Sequence, residues 1–287
     1  MELKPPLSFE DQMLNLKLKN LIIEDESQAI AYLSENNYYH LNKHFHDFMD
    51  EEGYFLPGTT FTRFVDINEN DKFLRNAIFR LIDPIELKLR TVIANYLSVN
   101  FGSNCFNSPE LSENYNYWGS NYKTIYDCVL RDTSHPVVRW HFHQYGGQFP
   151  IWVVLEFATF NALSKYFMNL KPEISNEIGQ LYYQGTKGYI LSSWFRSIGL
   201  IRNKCAHGSH LFREKHSFLP QLPNYSDLPN RLKRSGLFTI MYVMKNISNP
   251  DVWNDSLSRI NKRDKEHKFL DENYGFPDNW RDYLLLN

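Results

Sequence analysis

The chain has 287 residues, of which 43% are hydrophobic and 22% are charged, and this composition fits a soluble globular protein with one large or two small domains. Its net charge of −2 does not by itself indicate a nucleic-acid partner. No apolar stretch is long enough to span a membrane, and no basic segment followed by an apolar one opens the chain, so the sequence predicts neither a transmembrane helix nor a secretory signal.

The N-terminal part of the chain has the pattern of short helices and a turn. Ser8 and Asp25, each followed three residues later by a capping-box partner, are predicted to begin helices near residues 8–20 and 26–36. Residues 50–60 hold two glycines and a proline between aromatic residues, which predicts a turn or a small hairpin.

A long helix is predicted from about residue 68 to residue 99, because apolar residues recur there every three or four positions. Pro84 lies inside this stretch and is expected to kink or restart the helix. Glu86 and Arg90 are spaced to pair on one helix face. Residues 102–122 are polar and are predicted to form a loop.

The rest of the chain is also helical in pattern. Further helices are predicted near residues 151–170, 187–206, 230–248 and 251–262, with a proline-rich loop at 220–229. The predicted fold class is therefore all-α. We place a domain boundary within residues 102–135, which separates an N-terminal helical lobe (1–130) from a C-terminal helical domain (131–287).

Cysteine usage and common motifs exclude several classes of protein. The three cysteines, Cys105, Cys128 and Cys205, are scattered and odd in number. They indicate reduced thiols in a cytoplasm rather than a disulfide framework or a zinc ribbon. The signature motifs of P-loop nucleotide hydrolases, serine hydrolases and zinc peptidases are absent from the sequence, so these readings have no support.

Two groups of residues have a spacing compatible with a metal ion. They are His40, His44 and Asp47, and the pair His141 and His143. Neither group has a cysteine companion or a convincing further ligand. The sequence therefore predicts no metal and no cofactor.

The most informative segment is Arg202 to His207, an arginine and a histidine separated by four residues at the end of the predicted helix 187–206. This helix has an apolar stripe formed by Leu191, Trp194, Ile198, Ile201 and Cys205. Arg202 lies at the edge of the stripe and is predicted to be half-buried, whereas His207 lies about 140° further around the helix. Either Gly208 ends or bends the helix there, or a second copy of the chain completes the site.

An arginine and a histidine in this arrangement supply the groups needed to cleave RNA without a metal. Arg202 can bind a phosphate and stabilise charge in the transition state. His207 can donate or accept a proton at neutral pH. Asn203 and Lys204 would position the backbone phosphate. The alternative is that Arg202 and His207 cap a purely structural helix.

The chain's one basic region surrounds this segment. Residues 187–234 hold nine lysines and arginines and two acidic residues, a local charge of +7 against −9 in the rest of the chain. Such a patch on an acidic body is typical of a protein that binds a phosphate backbone, although a solvated charged face is the alternative. The candidate RNA contacts are Lys187, Arg196, His210, Arg213, Lys215, Arg231, Lys233 and Arg234.

Glu156 is the one charged residue in the apolar run 151–163. A carboxylate in such surroundings needs a cationic partner, so we expect Glu156 to pair with Arg202 or Arg196 and to support the candidate site. The alternative is that Glu156 faces water at the boundary of the core.

Several segments, taken together with the R-x4-H pair, carry a resemblance to a known family. They are Lys4–Gln12 (KPPLSFEDQ), Asn37–Leu41 (NYYHL), Asn70–Arg75 (NDKFLR), Ile85–Thr91 (IELKLRT) and Phe149–Glu156 (FPIWVVLE). In this order, over about three quarters of the chain, they resemble the abortive-infection proteins of the AbiD/AbiF type, a bacterial branch of the HEPN superfamily of helical ribonucleases. Phe160-Asn161 departs from the pattern, since the family is expected to carry a glycine after the aromatic residue.

The resemblance implies a HEPN-like helical bundle with an additional N-terminal helical lobe. It also implies a metal-independent endoribonuclease that acts as a toxin in antiviral defence and is restrained by a small non-coding RNA. HEPN proteins usually pair two such helices, so a homodimer through the R-x4-H helix is expected. A non-cleaving RNA-binding scaffold and a helical protein–protein adaptor remain the alternative functions.

Overall fold

The computed structural model describes residues 5–224, 226–232, 234 and 236–285. Across these residues the regular structure consists of thirteen α-helices and short 3-10 turns, and strand pairing is limited to isolated bridges. The predicted all-α class is confirmed. The chain divides into two compact units, one formed by Met1–Arg75 with His210–Phe212, and the other by Asn76–Ser209 with Arg213–Asn287. The predicted boundary at 102–135 lies inside the second unit.

The first unit contains α1 (Phe9–Leu18), α2 (Glu26–Glu35) and α3 (Tyr38–Phe45). The first two helices begin as predicted, because Ser8 and Asp25 each accept the backbone N–H of the residue three positions later. The turn predicted at 50–60 is closed by an antiparallel bridge between Met49 and Phe55. An aromatic core that includes Phe45 holds this unit together.

The long predicted helix is α4 (Phe61–Phe101), and the division between the two units falls within it. It begins seven residues before the predicted start and continues through Pro84 without restarting. Leu81, Ile82 and Ile85, on either side of the proline, are fully buried. Burial of these side chains on both sides of Pro84 outweighs the loss of one helical hydrogen bond.

The second unit contains the remaining helices. They are α5 (Tyr115–Leu130), α6 (Pro136–Tyr145), α7 (Ile151–Glu156), α8 (Phe160–Met168), α9 (Pro172–Tyr182), α10 (Gly188–Ala206), α11 (Leu237–Ile247), α12 (Pro250–His267) and α13 (Trp280–Leu284). The central helix is α10, which packs against α8, α9 and α11. Its apolar stripe is buried as predicted, with Leu191, Trp194 and Ile198 almost completely inaccessible.

Two predictions in this unit are corrected by local capping. The single helix predicted at 151–170 is two helices, because the Thr159 side chain accepts the N–H of Ala162 and starts α8 afresh. The loop predicted at 102–122 ends early, because Asn114 caps α5 in the same way through the N–H of Tyr117. None of the described helices is both long enough and apolar enough to cross a membrane.

Close packing between α9 and the segment leading into α10 gives a prediction on stability. A Cβ atom at Gly179 would lie 1.9 Å from the carbonyl oxygen of Thr186. Gly179→Ala should therefore lower the free energy of unfolding by about 3 kcal/mol, the upper end of the range for overpacked cores. Urea denaturation measures this change.

Gly119 in α5 is the matched control, since a Cβ there would meet nothing within 4 Å. Gly119→Ala should leave stability unchanged or raise it by up to about 1 kcal/mol, because alanine loses less backbone entropy in a helix. Equal losses at both positions would contradict the steric explanation.

Candidate active site at the end of α10

The end of α10 places His207 just outside the helix. His207 is the C-cap residue, with φ −96° and ψ 11°. Gly208 follows with φ +66°, and its N–H donates to the Cys205 carbonyl at 3.4 Å, while the N–H of Ser209 donates to the Lys204 carbonyl at 2.9 Å. This pair of bonds is a Schellman motif, which favours glycine at the left-handed position. Gly208 therefore ends the helix, and the His207 side chain is exposed.

Arg202 lies on the last turns of α10 at the border of the core. Its side chain is 30% exposed, and its Nε lies 3.6 Å from Oε2 of Glu86. The guanidinium also lies 5.7 Å from the centre of the Phe79 ring. The helical spacing predicted this half-buried position correctly. Arg202 is held between a carboxylate and an aromatic ring while part of it remains open to solvent.

Glu86 on α4 joins two arginines. Its Oε1 accepts a hydrogen bond from Nη2 of Arg90 at 3.1 Å, as the i, i+4 spacing predicted, and its Oε2 faces Arg202. Arg90 also donates to the carbonyl oxygens of Leu155, near the end of α7, at 2.8 Å and of Ala158, between α7 and α8, at 3.0 Å. A cavity of about 200 Å³ beside Arg202 is lined by residues of α4 and by Arg202 itself. The two arginines are thus fixed by Glu86 of α4 and, for Arg90, by two carbonyl groups at and just beyond the end of α7.

This arrangement makes Glu86 important for stability. Glu86→Gln should lower the free energy of unfolding by about 1–3 kcal/mol, because two partly buried guanidinium groups would lose their counter-charge. The side chains of Glu86 and Arg90 are 16% and 15% exposed, so solvent screens the effect only in part. The midpoint and slope of urea denaturation measure the loss. Exposed Glu156 is the control, since Glu156→Gln should change stability by no more than about 0.5 kcal/mol.

The predicted role of Glu156 is wrong. Glu156 is the last residue of α7 and is exposed, as the alternative reading had it. Among the described residues the carboxylate facing Arg202 is Glu86, and Arg196 lies instead over the ring of Phe218 at 4.2 Å. The sequence places Glu86 and Arg202 far apart in the chain, so spacing alone could not have paired them.

Two of the four residues between Arg202 and His207, Asn203 and Lys204, have different surroundings. Lys204 forms an ion pair with Glu214 at 2.6 Å, so its charge is already balanced within the chain. The Asn203 carbonyl accepts the N–H of His207, and the residue as a whole is half-buried. Both therefore lie beside the candidate site, with Lys204 directed to an internal partner.

The structure brings some of the predicted RNA contacts together and separates others. Arg213, Lys215 and Arg234 line one cavity of about 690 Å³, which also includes Glu214 and Glu272. All the basic contacts that the structure describes are exposed, namely Lys187, Arg196, Arg213, Lys215, Arg231 and Arg234. Lys187 precedes the first residue of α10, so the length of this 19-residue helix, about 28 Å, separates it from His207. Lys233 lies outside the described residues.

His210 is corrected as an RNA contact. It is only 6% exposed and belongs to the first unit, where it lies against His44 and Asp71. A side chain buried in this way cannot reach a phosphate at the surface. Burial, more than the neighbouring His210, lowers the pKa of His44 to about 4, so that ring is uncharged at neutral pH. In the sequence, this burial is indicated only by the apolar residues Leu211 and Phe212, which directly follow His210.

Neither of the two groups with metal-compatible spacing forms a cluster of three possible metal ligands among the described residues. The Nδ1 of His141 lies 2.8 Å from the Val137 carbonyl within α6, and His143 is exposed. Of the first group, His44 instead comes together with two residues distant in the sequence, Asp71 and His210.

A comparison with protein families identifies the family of this chain. Residues 31–213, about two thirds of the chain, match the family described as Abi-like protein. The matched region includes α10 and both residues of the R-x4-H pair. No curated protein and no solved structure matches this chain.

Proposed function

Because this chain belongs to the Abi-like protein family, we propose that it acts in abortive infection as an endoribonuclease toxin of the HEPN type, in the AbiD/AbiF branch. The observation that carries the proposal is the end of α10. There an exposed histidine follows, after four residues, an arginine that is fixed in place yet partly open to solvent. These are the two side-chain chemistries that RNA cleavage without a metal requires.

The reaction uses the RNA's own 2′-hydroxyl as nucleophile. A base removes the proton of the 2′-hydroxyl, whose oxygen attacks the neighbouring phosphorus, and an acid protonates the departing 5′-oxygen. The products are a 2′,3′-cyclic phosphate and a 5′-hydroxyl. His207 serves as the base or as the acid, which is worth roughly 10²–10⁴ in rate. Arg202 stabilises the additional negative charge on the phosphorane-like transition state.

A second copy of the chain would supply the other proton-transfer group. We place the homodimer contact at the α10 end, where each protomer would contribute one His207. Exposed apolar side chains beside Arg202 support this placement, since Phe79 and Leu87 are 38% and 57% exposed and line the same cavity as Arg202. Apolar surface of this kind next to a polar site favours contact with another protein surface.

We further propose that a small non-coding RNA restrains the toxin through the basic region. Arg213, Lys215 and Arg234 share one cavity in the second unit, and Arg231 is exposed nearby in the chain. Clustered exposed cations bind a phosphate backbone by releasing its counterions. RNA is thus both the substrate and the inhibitor in this proposal.

One observation favours RNA binding without cleavage as a second candidate function. Arg202 already faces the carboxylate of Glu86, and an arginine whose charge is balanced can be a structural residue. The ultraviolet absorbance ratio of the purified protein, which reports co-purified RNA, tests binding in both candidates. Cleavage of a labelled RNA separates them, since the scaffold would bind the RNA and leave it intact.

Cleavage should persist when EDTA is added to the assay, because the proposed mechanism uses only a histidine and an arginine. The product ends should be 2′,3′-cyclic phosphate or 3′-phosphate, identified by mass spectrometry of a short RNA. Activity lost on chelation and restored by Mg²⁺ or Mn²⁺ would overturn the metal-independent mechanism. A cleaved product with a 5′-phosphate would also contradict it, since attack by the 2′-hydroxyl leaves a 5′-hydroxyl.

A further inference from the structure

Three buried side chains converge inside the first unit. They are His44 on α3, Asp71 on α4 and His210 in the segment that follows α10, and they are 2%, 0% and 6% exposed. Oδ2 of Asp71 lies 3.9 Å from Nε2 of His44 and 3.5 Å from Nδ1 of His210. One nitrogen or oxygen from each residue lies within 4.8 Å of the other two. The three atoms are therefore close enough together to contact the same small ligand.

Three of the four imidazole nitrogen atoms in this cluster have no hydrogen-bond partner among the described residues. Among the residues that the structure describes, neither Nε2 of His44 nor either ring nitrogen of His210 has a hydrogen-bond partner. Buried polar atoms are almost always satisfied, and the exceptions require an explanation. The two imidazole rings also contact each other, with centres 3.9 Å apart.

We propose that His44, Asp71 and His210 bind a divalent cation of the Zn²⁺ type. Tetrahedral zinc with bonds of about 2.0–2.1 Å holds its ligand atoms about 3.3 Å apart, close to the two separations measured from Asp71. Binding would give partners to Nε2 of His44 and Nδ1 of His210. Three protein ligands leave a fourth position for water.

The ligand set selects the kind of ion. Two imidazole nitrogens and one carboxylate suit zinc or cobalt, whereas Mg²⁺ and Ca²⁺ require mostly oxygen ligands. Nη1 of Arg75 lies 3.5 Å from the same oxygen of Asp71, so the cluster has little net negative charge to offer a hard cation. Affinity must therefore come from the nitrogen ligands.

The carboxylate is already held in position for such a role. Oδ2 of Asp71 accepts the N–H of Leu211 at 2.9 Å, and Oδ1 accepts the N–H of Phe212 at 3.1 Å. Hydrogen bonds that orient a ligating carboxylate are typical of metal sites. The residues that donate them directly follow His210 in the chain, so the same short segment supplies one ligand and fixes another.

The site has no part in the cleavage chemistry and does not depend on the proposed function. A bound ion would hold His210, in the segment 210–212, to His44 and Asp71, which all belong to the first unit. Its contribution is to stability. An ion that binds the folded chain and not the unfolded chain raises the temperature of unfolding.

The test uses the full chain, freed of metal by dialysis against a chelator. Zn²⁺ is then titrated in competition with a chromophoric chelator, and thermal unfolding is recorded with and without Zn²⁺. We expect one equivalent bound and a raised unfolding temperature. Loss of even an outer-shell partner costs about 10–100-fold in metal affinity, so His44→Gln and His210→Gln should each weaken binding at least about tenfold. His141→Gln is the control, since it changes another buried histidine and should bind as the unaltered protein does.

Cobalt gives a readout of direct ligation. Co²⁺ in the unaltered protein should show the visible absorption of a four-coordinate site. His210→Cys should add a thiolate-to-cobalt charge-transfer band that the unaltered protein lacks. A folded, unaltered protein that binds no stoichiometric Zn²⁺ and shows no such Co²⁺ absorption overturns the proposal, even if a variant fails to fold. A folded His210→Cys variant without the new band also overturns it.

Discussion

Replacing His207 by alanine should abolish the toxicity of the expressed protein, and replacing Arg202 by alanine should do the same. His207 is the exposed proton-transfer group of the proposed reaction, and Arg202 is the cation that meets the charge of the transition state. Removal of a general acid–base group costs roughly 10²–10⁴ in rate, and removal of one group that stabilises a developing oxyanion costs about 10²–10³. Growth of cells that express each variant, together with cleavage of a labelled RNA by purified protein, measures the loss.

Matched variants separate catalysis from folding. Arg259→Ala removes another arginine that forms an ion pair, here with Asp255 on α12, and His143→Ala removes another exposed histidine. Both should remain toxic. Circular dichroism and thermal unfolding should show that the His207 variant is folded, because its side chain is exposed and its C-cap role rests on backbone bonds. If the Arg202 and His207 variants both stay fully toxic, the ribonuclease assignment fails.

Charge reversal in the basic region should have the second large effect. Changing Lys215, Arg231, Lys233 and Arg234 to glutamate removes four positive charges and adds four negative ones. Each lost phosphate contact to single-stranded RNA reduces the slope of log affinity against log salt by about 0.7. RNA binding, measured by fluorescence anisotropy over a series of salt concentrations, should therefore become weaker and less salt-dependent. We expect toxicity to rise, because the variant would lose its inhibitory RNA.

The control for this experiment reverses four exposed cations elsewhere in the second unit. Lys123, Arg131, Lys262 and Lys265 give the same change in net charge. This variant should keep the RNA affinity and salt slope of the unaltered protein. Loss of toxicity in the first variant would assign the basic region to substrate instead of inhibitor. An unchanged slope there would mean that RNA does not touch this region.

Helix caps, apolar periodicity and helix-ending glycines predict those parts of the fold that depend on residues close together in the sequence. The caps at Ser8 and Asp25, the buried stripe of α10 and the end of that helix at Gly208 all follow from residues within one or two turns. The starts of α5 and α8, which the prediction does not contain, also depend on neighbouring residues. Asn114 and Thr159 are ordinary N-cap residues, but the surrounding patterns indicated a loop in one case and one continuous helix in the other.

The tertiary partners of the candidate site could not be predicted in this way. The i, i+4 spacing predicts the pair of Glu86 and Arg90, and the structure confirms it. The contact between Glu86 and Arg202 depends instead on how α4 and α10 pack. As the one charge in an apolar run, Glu156 is expected to need a cationic partner, but its place at the end of α7 leaves it exposed to water. Its position in a basic region predicts that His210 contacts RNA. In the structure, its surroundings are formed by residues distant in the sequence, such as Asp71. Spacing along the chain does not predict contacts between residues that are far apart in the sequence.

The first unit is assembled from two stretches of chain, and this limits how the gene can be divided. A fragment ending at Arg75 would keep Asp71 but lose Leu211 and Phe212, whose backbone N–H groups bind its buried carboxylate. A truncation or recombination event that removes the C-terminal half would therefore leave a remnant whose buried carboxylate keeps Arg75 but has lost two backbone hydrogen bonds, and this remnant should be less stable than the complete unit. An exchange of either unit between relatives must also take account of residues 210–212, which belong to the first unit although they follow α10 in the chain. The two units are thus expected to be inherited together.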